Sequence, residues 1–141
     1  RQVWETYQNT RGDASFYDDQ VIFDAIERTH DIEKYYQACD IFVMPSLREG
    51  LPNAMLEAMS CELPVILSKL ETVTEWVVED GLNGLLFSPG SEVELSEKLI
   101  LVLSNSDLSM SLGKKARKTI LERFSIEETA KLHNILYASI C

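Results

Sequence analysis

The sequence has few of the residues that build metal or disulfide sites. Its 141 residues include 3 cysteines and 2 histidines. Cys39, Cys61 and Cys141 are odd in number and widely spaced, and no C-x-x-C pair or Cys/His cluster occurs. This pattern argues against both a zinc site and a disulfide framework, and it is typical of reduced thiols in a cytosolic protein.

Positive charge is also scarce. Lysine and arginine number 13 against 23 aspartates and glutamates, a formal net charge of −10. Such a surface repels polyanions, so we expect no nucleic-acid partner. The basic run KKARK (114–118) indicates an exposed helix face. The alternative interpretation of this run is that it makes a peripheral contact between the intact protein and an anionic membrane.

Long apolar runs are missing as well. The longest are too short to span a bilayer, and the first residues lack the apolar core of a signal peptide. The sequence therefore predicts a cytoplasmic protein, with peripheral membrane contact as the variant of that prediction. Because the chain begins at Arg1 rather than Met, we expect an N-terminally truncated fragment.

The residues that are present predict a globular α/β fold. Hydrophobic residues make up 45% of the chain and charged residues 26%, which is typical of one compact domain over 1–141. Short apolar segments alternate with helical patterns, and this order predicts an open doubly wound parallel sheet with C-terminal helices. The predicted strands are VIFDAI (21–26), DIFVMP (40–45), LPVILS (63–68) and GLLF (84–87).

Capping residues predict where the helices begin and end. Thr72, Ser91 and Ser125 are each followed three residues later by glutamate, and Gly81 is the predicted stop of the helix after Thr72. The predicted helix starts are Asp31, Asn53, Thr72, Ser91 and Ser125.

The stretch REGLPNAMLEAM (48–59) combines features of a ligand site. It follows DIFVMP, and ligands of open α/β sheets bind beyond the carboxyl ends of the strands. Gly50 permits close backbone approach, and the helix beginning at Asn53 presents free N–H groups that favour a phosphate. Glu49 and Glu57 suit vicinal sugar hydroxyls. Either acid alone would more often be a solvated charge. Two such acids beside a phosphate-binding helix start together indicate a nucleotide sugar.

This region resembles a known family. CDIFVMPSLREGLPNAMLEAMSCELPVI is similar to the E-x7-E region of the retaining family-4 glycosyltransferases, within their C-terminal, donor-binding Rossmann-like domain of the GT-B fold. The similarity continues through EDGLNGLLFSPG and ERFSIEETAKLHNILY, and covers about 21–137. It implies a donor-binding domain without the N-terminal acceptor domain.

The resemblance also implies roles for individual residues. Glu49 would contact the transferred sugar and assist at the reacting centre, and Glu57 would bind the ribose. The base would lie against the ERTH loop, around Arg28 and Thr29. Sugar and diphosphate would be held by the backbone N–H groups of Gly50, Leu51, Asn53 and Ala54.

Departures from the family pattern concern glycine. Relatives usually carry glycine where this chain has Glu62, and often a glycine pair where it has Glu71 and Thr72. The family's cationic residues that neutralise the diphosphate would precede Arg1, so we expect no transferase activity from this chain alone.

The sequence also bears on cofactors and on the alternative functions. No metal or other cofactor is expected, because no Asp-x-Asp pair follows a strand. A nucleotide-sugar epimerase of the same fold and a non-catalytic nucleotide-sugar-binding module remain the alternatives to a transferase of hexose-type sugars.

Overall fold

The computed structural model of the chain describes residues 29–140. Contacts divide the chain into two units, Arg1–Ile32 and Glu33–Cys141, and the fold below is that of the second. The strand predicted at 21–26 and the predicted donor contact Arg28 lie outside the described residues.

Helices and strands alternate along the described residues, and the last three elements are helices. The helices are α1 (Ile32–Ala38), α2 (Asn53–Ser60), α3 (Thr74–Val77), α4 (Glu92–Leu103), α5 (Ser106–Arg123) and α6 (Ile126–Ile140). The strands are β1 (Phe42–Met44), β2 (Val65–Ser68) and β3 (Leu85–Phe87).

The three strands form a parallel sheet in the order β1-β2-β3. Phe42 pairs with Val65, and Ile66 pairs with Leu85. All four residues of β2 are buried, as expected of a central parallel strand covered on both faces. The predicted parallel α/β fold is confirmed.

Successive side chains of the strands enter two apolar cores, because a strand alternates its faces. The first core joins β2 to helices α1, α2, α3 and the C-terminal half of α5. Its fully buried members include Met55, Met59, Val65, Leu67 and Ala116. The second core joins the opposite face to α4 and the N-terminal half of α5 through Ile66, Leu85, Phe87, Val102 and Leu112.

The start of α2 differs from the prediction. Asn53 is the first helical residue, and Pro52 occupies the N-cap position in an extended conformation, with φ −78° and ψ 112° and no side-chain capping bond. The Pro52 carbonyl instead accepts hydrogen bonds from Met55 N at 3.1 Å and Leu56 N at 3.4 Å. The expectation that Asn53 caps this helix is therefore wrong, because the rigid proline already sets the entry of the chain.

The end of α2 is a Schellman motif built without glycine. Glu62 N donates to Met59 O and Leu63 N donates to Ala58 O, both at 3.2 Å, which is the bonding pattern of that motif. Glu62 has the left-handed φ of 63° that the motif requires. Glycine would adopt this conformation without strain, because it has no Cβ.

The predicted capping box at Thr72 is wrong. Thr72 has φ 64°, whereas an N-cap residue takes an extended conformation. The helix that follows, α3, has four residues and no side-chain cap. Its start is held by Thr74, whose buried hydroxyl donates to Ser68 O and accepts from Leu70 N, both at 2.8 Å.

Gly81 does not end that helix. The helix ends at Val77, because Val78 already takes an extended conformation with φ −109° and ψ 122°. Gly81 lies further on, in the turn before β3, with φ 78°. The buried Asn83 stabilises this turn by accepting from Glu79 N at 2.8 Å and donating to Val77 O at 3.1 Å.

The caps at Ser91 and Ser125 are confirmed. Ser91 Oγ accepts from Glu94 N at 3.3 Å, and Ser125 Oγ accepts from Glu128 N at 3.2 Å. Glu94 also accepts from Ser88 N at 2.7 Å, and this backbone hydrogen bond lowers the pKa of the Glu94 carboxyl below its ordinary value.

Candidate functional site

The candidate site lies where β1 ends and α2 begins. The loop 45–52 connects the two, so it extends from the carboxyl edge of the parallel sheet. Glu49, Gly50 and Leu51 are exposed in it, while Pro52 is buried and anchors the loop to the body of the domain. The result is an exposed segment on a fixed base, which we call the β1–α2 rim (residues 45–57).

Glu49 is oriented by a neighbour that the sequence did not single out. Ser46 Oγ donates to Glu49 Oε1 at 2.7 Å. One carboxylate oxygen is thus held by the loop, while the side chain remains exposed. A serine three residues before an acid is too common a pattern to have identified this contact in advance.

Four backbone N–H groups, in the loop before α2 and at the start of that helix, are free to bind a ligand. Among residues 29–140, those of Gly50, Leu51, Asn53 and Ala54 donate to no protein acceptor. The unpaired N–H groups of a helix start carry partial positive charge and bind anions. A Cβ at Gly50 would meet nothing within 4 Å, so protein packing does not demand this glycine, and the space beside it is open.

Glu57 lies one turn into α2 and is exposed. Its Oε2 accepts a hydrogen bond from the hydroxyl of Tyr36 at 3.2 Å. Tyr36 belongs to α1 and is only 9% exposed. Burial, then the hydrogen bond and the charge of Glu57, raise the pKa of Tyr36 to about 12. Nothing in the sequence linked Tyr36 to Glu57, because the two residues lie 21 positions apart.

The structure therefore places six of the predicted site residues on the β1–α2 rim. They are Glu49, Gly50, Leu51, Asn53, Ala54 and Glu57. Thr29 lies in the other unit of the chain, where its Oγ1 accepts from Asp31 N at 3.1 Å. Its predicted contact with a base stays a prediction, as does that of Arg28.

Charged groups near the ends of β2 and β3 do not suit a diphosphate. A cavity of about 280 Å³ opens there. Its charged lining residues are Lys69, Glu75, Glu79, Asp80 and Glu94, and Lys69 is already paired with Glu75 at 3.2 Å. Excess negative charge repels phosphate, so the β1–α2 rim is the better anion site.

Residues 29–140 contain neither a metal-binding cluster nor a membrane-spanning helix. In 29–140, no group of three or more histidine, cysteine, aspartate or glutamate side chains is placed to hold a metal ion. No helix in the described part of the chain is long and apolar enough to cross a bilayer.

Comparison with known families identifies the class of protein. The profile of the family "Glycosyl transferases group 1" matches residues 13–119. This range includes the whole β1–α2 rim and most of the chain. The chain belongs to the group 1 glycosyl transferases.

Individual relatives agree with the family. The chain is 36% identical over 92 residues to N,N'-diacetylbacillosaminyl-diphospho-undecaprenol alpha-1,3-N-acetylgalactosaminyltransferase of Campylobacter jejuni. The aligned residues make up 65% of this chain and 24% of that protein. The chain thus spans about a quarter of the length of this curated relative.

Solved structures show the same fold. The C-terminal domain of LpcC, a glycosyl transferase group 1 family protein of Francisella tularensis, matches with a TM-score of 0.69 and 28% identity over 89% of this chain and 62% of that one. HepE of Anabaena in complex with UDP matches with a TM-score of 0.72 and 25% identity over 78% of this chain and 30% of that one. The fold is that of GT-B glycosyltransferase domains.

Proposed function

We propose that this chain is the donor-binding part of a retaining, family-4 glycosyltransferase. The intact enzyme would move a hexose-type sugar from a nucleotide diphosphate sugar to a glycan, lipid or small-molecule acceptor. The observation that carries the proposal is the β1–α2 rim. It presents free N–H groups at a helix start between two exposed carboxylates, Glu49 and Glu57. The UDP bound to the structurally similar HepE supports a nucleotide donor.

Each part of the rim has a task in this proposal. The N–H groups of Gly50, Leu51, Asn53 and Ala54 bind sugar and diphosphate, and they stabilise negative charge on the departing diphosphate. Glu57 accepts hydrogen bonds from the ribose hydroxyls. Glu49, oriented by Ser46, contacts hydroxyls of the transferred sugar and assists at the reacting centre.

Several properties of the intact protein belong to the proposal. The acceptor is held by a domain outside this chain, no metal or other cofactor takes part, and the enzyme is cytoplasmic, with peripheral membrane contact as the alternative. This chain alone transfers no sugar, because further cations are needed to stabilise the leaving diphosphate.

A two-part experiment on the intact protein tests the proposal. Melting temperature is followed while UDP-, GDP- and ADP-linked sugars are added. A donor at about 100 times its Kd adds about 2.7 kcal/mol, which shifts Tm by several degrees. Glu49→Ala should lower kcat by about 10²- to 10³-fold, and the exposed α4 residue Glu97 provides the control variant Glu97→Gln.

The outcomes separate the competing functions. NMR of the product should show that the anomeric configuration of the donor is retained. Epimerised nucleotide sugar without transfer would favour an epimerase of the same fold. A thermal shift without any turnover would favour a non-catalytic binding module, and no shift with any donor would contradict nucleotide-sugar binding altogether.

A further inference from the structure

Tyr36 stands between the core and the β1–α2 rim. Its ring packs edge-to-face on Phe42 of β1, with centroids 6.0 Å apart, and its side chain is 9% exposed. A buried tyrosine needs a hydrogen-bond partner for its hydroxyl. In the described part of the chain that partner is Glu57, with the hydroxyl 3.2 Å from Oε2.

This hydrogen bond reaches the ligand-facing acid from a different element. Tyr36 and Glu57 are 21 residues apart in sequence, on α1 and α2. The bond occupies one carboxylate oxygen and leaves the other, Oε1, with its lone pairs available to a ligand. The position of the carboxylate thus depends on how α1 packs, as well as on α2.

The energetic benefit is preorganisation. A free glutamate side chain loses rotamer freedom when it binds a ligand, and a group already held in place loses less. Because its pKa is raised to about 12, Tyr36 stays protonated and remains a donor over the physiological pH range. Its raised pKa reports burial first and the adjacent carboxylate second.

We propose that Tyr36 is a positioning residue: its hydroxyl holds the Glu57 carboxylate in the orientation that receives ribose hydroxyls of the nucleotide. The inference rests on the proposed function, since it takes Glu57 as the ribose contact. It adds a residue of α1 to the determinants of donor affinity.

The test uses the intact protein and isothermal titration calorimetry. UDP, GDP and ADP are titrated in separate experiments, and so are their 2′,3′-dideoxy counterparts. The variants are Tyr36→Phe, which removes only the hydroxyl, and Glu57→Gln. Tyr35→Phe is the matched control, because Tyr35 lies beside Tyr36 in α1 but is 40% exposed and its hydroxyl has no partner within residues 29–140.

The expected result is a loss confined to the ribose. Tyr36→Phe should weaken binding of the ribonucleotide by about 3- to 10-fold, the effect of one lost hydrogen bond. Binding of the dideoxynucleotide should be unchanged. Combining it with Glu57→Gln should weaken binding no further than Glu57→Gln alone, because the two residues act through one contact. In turnover, KM for the donor should rise while kcat is unchanged.

Other outcomes overturn the inference in distinguishable ways. Equal losses for ribo- and dideoxynucleotides, or a lower melting temperature with ribose discrimination intact, would assign Tyr36 a structural role only. If Glu57→Gln weakens ribonucleotides and Tyr36→Phe does not, this inference fails and the proposed function stands. If none of the three nucleotides binds the wild-type protein, both fail.

Discussion

At the scale of single residues, Ser46 and Glu49 form the most direct contact of the candidate site. They lie three residues apart just after β1, and the Ser46 hydroxyl donates to Glu49 Oε1 at 2.7 Å. Glu49 is exposed, so without this bond its side chain would sample several rotamers. The orientation of its carboxylate therefore depends on one short hydrogen bond.

We expect Ser46→Ala in the intact protein to lower kcat/KM by about 3- to 10-fold, the effect of losing one hydrogen bond. Folding should be unaffected, because Ser46 is only partly buried. Steady-state kinetics measures the change, and Ser96→Ala, an exposed serine on α4, is the control. Unchanged kinetics in Ser46→Ala would show that this bond does not orient Glu49.

At the scale of elements, the ends of the helices decide local stability, because strained backbone and capping hydrogen bonds both occur there. Glu62 closes α2 with φ 63°, a conformation that costs a non-glycine residue roughly 1–2 kcal/mol. Its carboxylate lies 3.7 Å from Arg117 Nε, but both side chains are about half exposed, so the ion pair contributes little. The strain outweighs the charge contact.

Glu62→Gly should therefore raise the free energy of unfolding by about 0.5–1 kcal/mol, after the greater freedom of glycine in the unfolded chain is subtracted. Urea unfolding measures it. Glu62→Ala is the control, because it removes the charge and keeps the Cβ, and it should change stability by less than about 0.5 kcal/mol. A destabilised Glu62→Gly would mean that the left-handed backbone is not strained.

Glu94 provides a pH-dependent prediction at the start of α4. Its pKa is lowered in the folded protein, chiefly by the hydrogen bond from Ser88 N. A group whose pKa folding lowers stabilises the protein above the pKa of the unfolded chain, and this stabilisation is lost as pH falls through the folded pKa. Glu94→Gln should melt below wild type at about pH 7, and the gap should close as pH falls below the ordinary pKa range of a glutamate carboxyl.

Circular dichroism melts over that pH range check this prediction, with Glu97→Gln on the same helix as the control. A Tm difference between wild type and Glu94→Gln that is the same at every pH would show that the charge of Glu94 does not contribute to the stability of the folded protein.

At the scale of the whole molecule, local sequence patterns predicted the elements better than their ends. The apolar runs of β1, β2 and β3 were readable because a covered parallel strand is largely apolar. The capping prediction at Thr72 failed because the pattern does not reveal a φ of 64°. Asn53 failed as a cap because Pro52 precedes it in an extended conformation.

The candidate site was predicted only as far as it is continuous in sequence. Glu49, Asn53 and Glu57 share one segment, so their common location followed from the order of β1, loop and α2. The bond between Tyr36 and Glu57 spans 21 residues, and depends on how two helices pack. Such a contact has no local signature in one sequence.

The central claim is that the free N–H groups at the start of α2 bind the diphosphate of a nucleotide. Asn53→Pro tests it, because proline fits the first position of a helix and the extended Pro52 before it, with ψ 112°, accommodates a following proline. The substitution removes one N–H and keeps the helix. Asn53→Ala, which keeps the N–H, is the matched control.

The measurement is the Kd of UDP, GDP and ADP for the two variants and wild type of the intact protein. We expect Asn53→Ala to bind within about 2-fold of wild type. Asn53→Pro should bind about 10- to 100-fold more weakly, the effect of one lost hydrogen bond to a charged group. Equal affinities for Asn53→Pro and Asn53→Ala, both folded, would contradict the claim that this helix start holds the diphosphate.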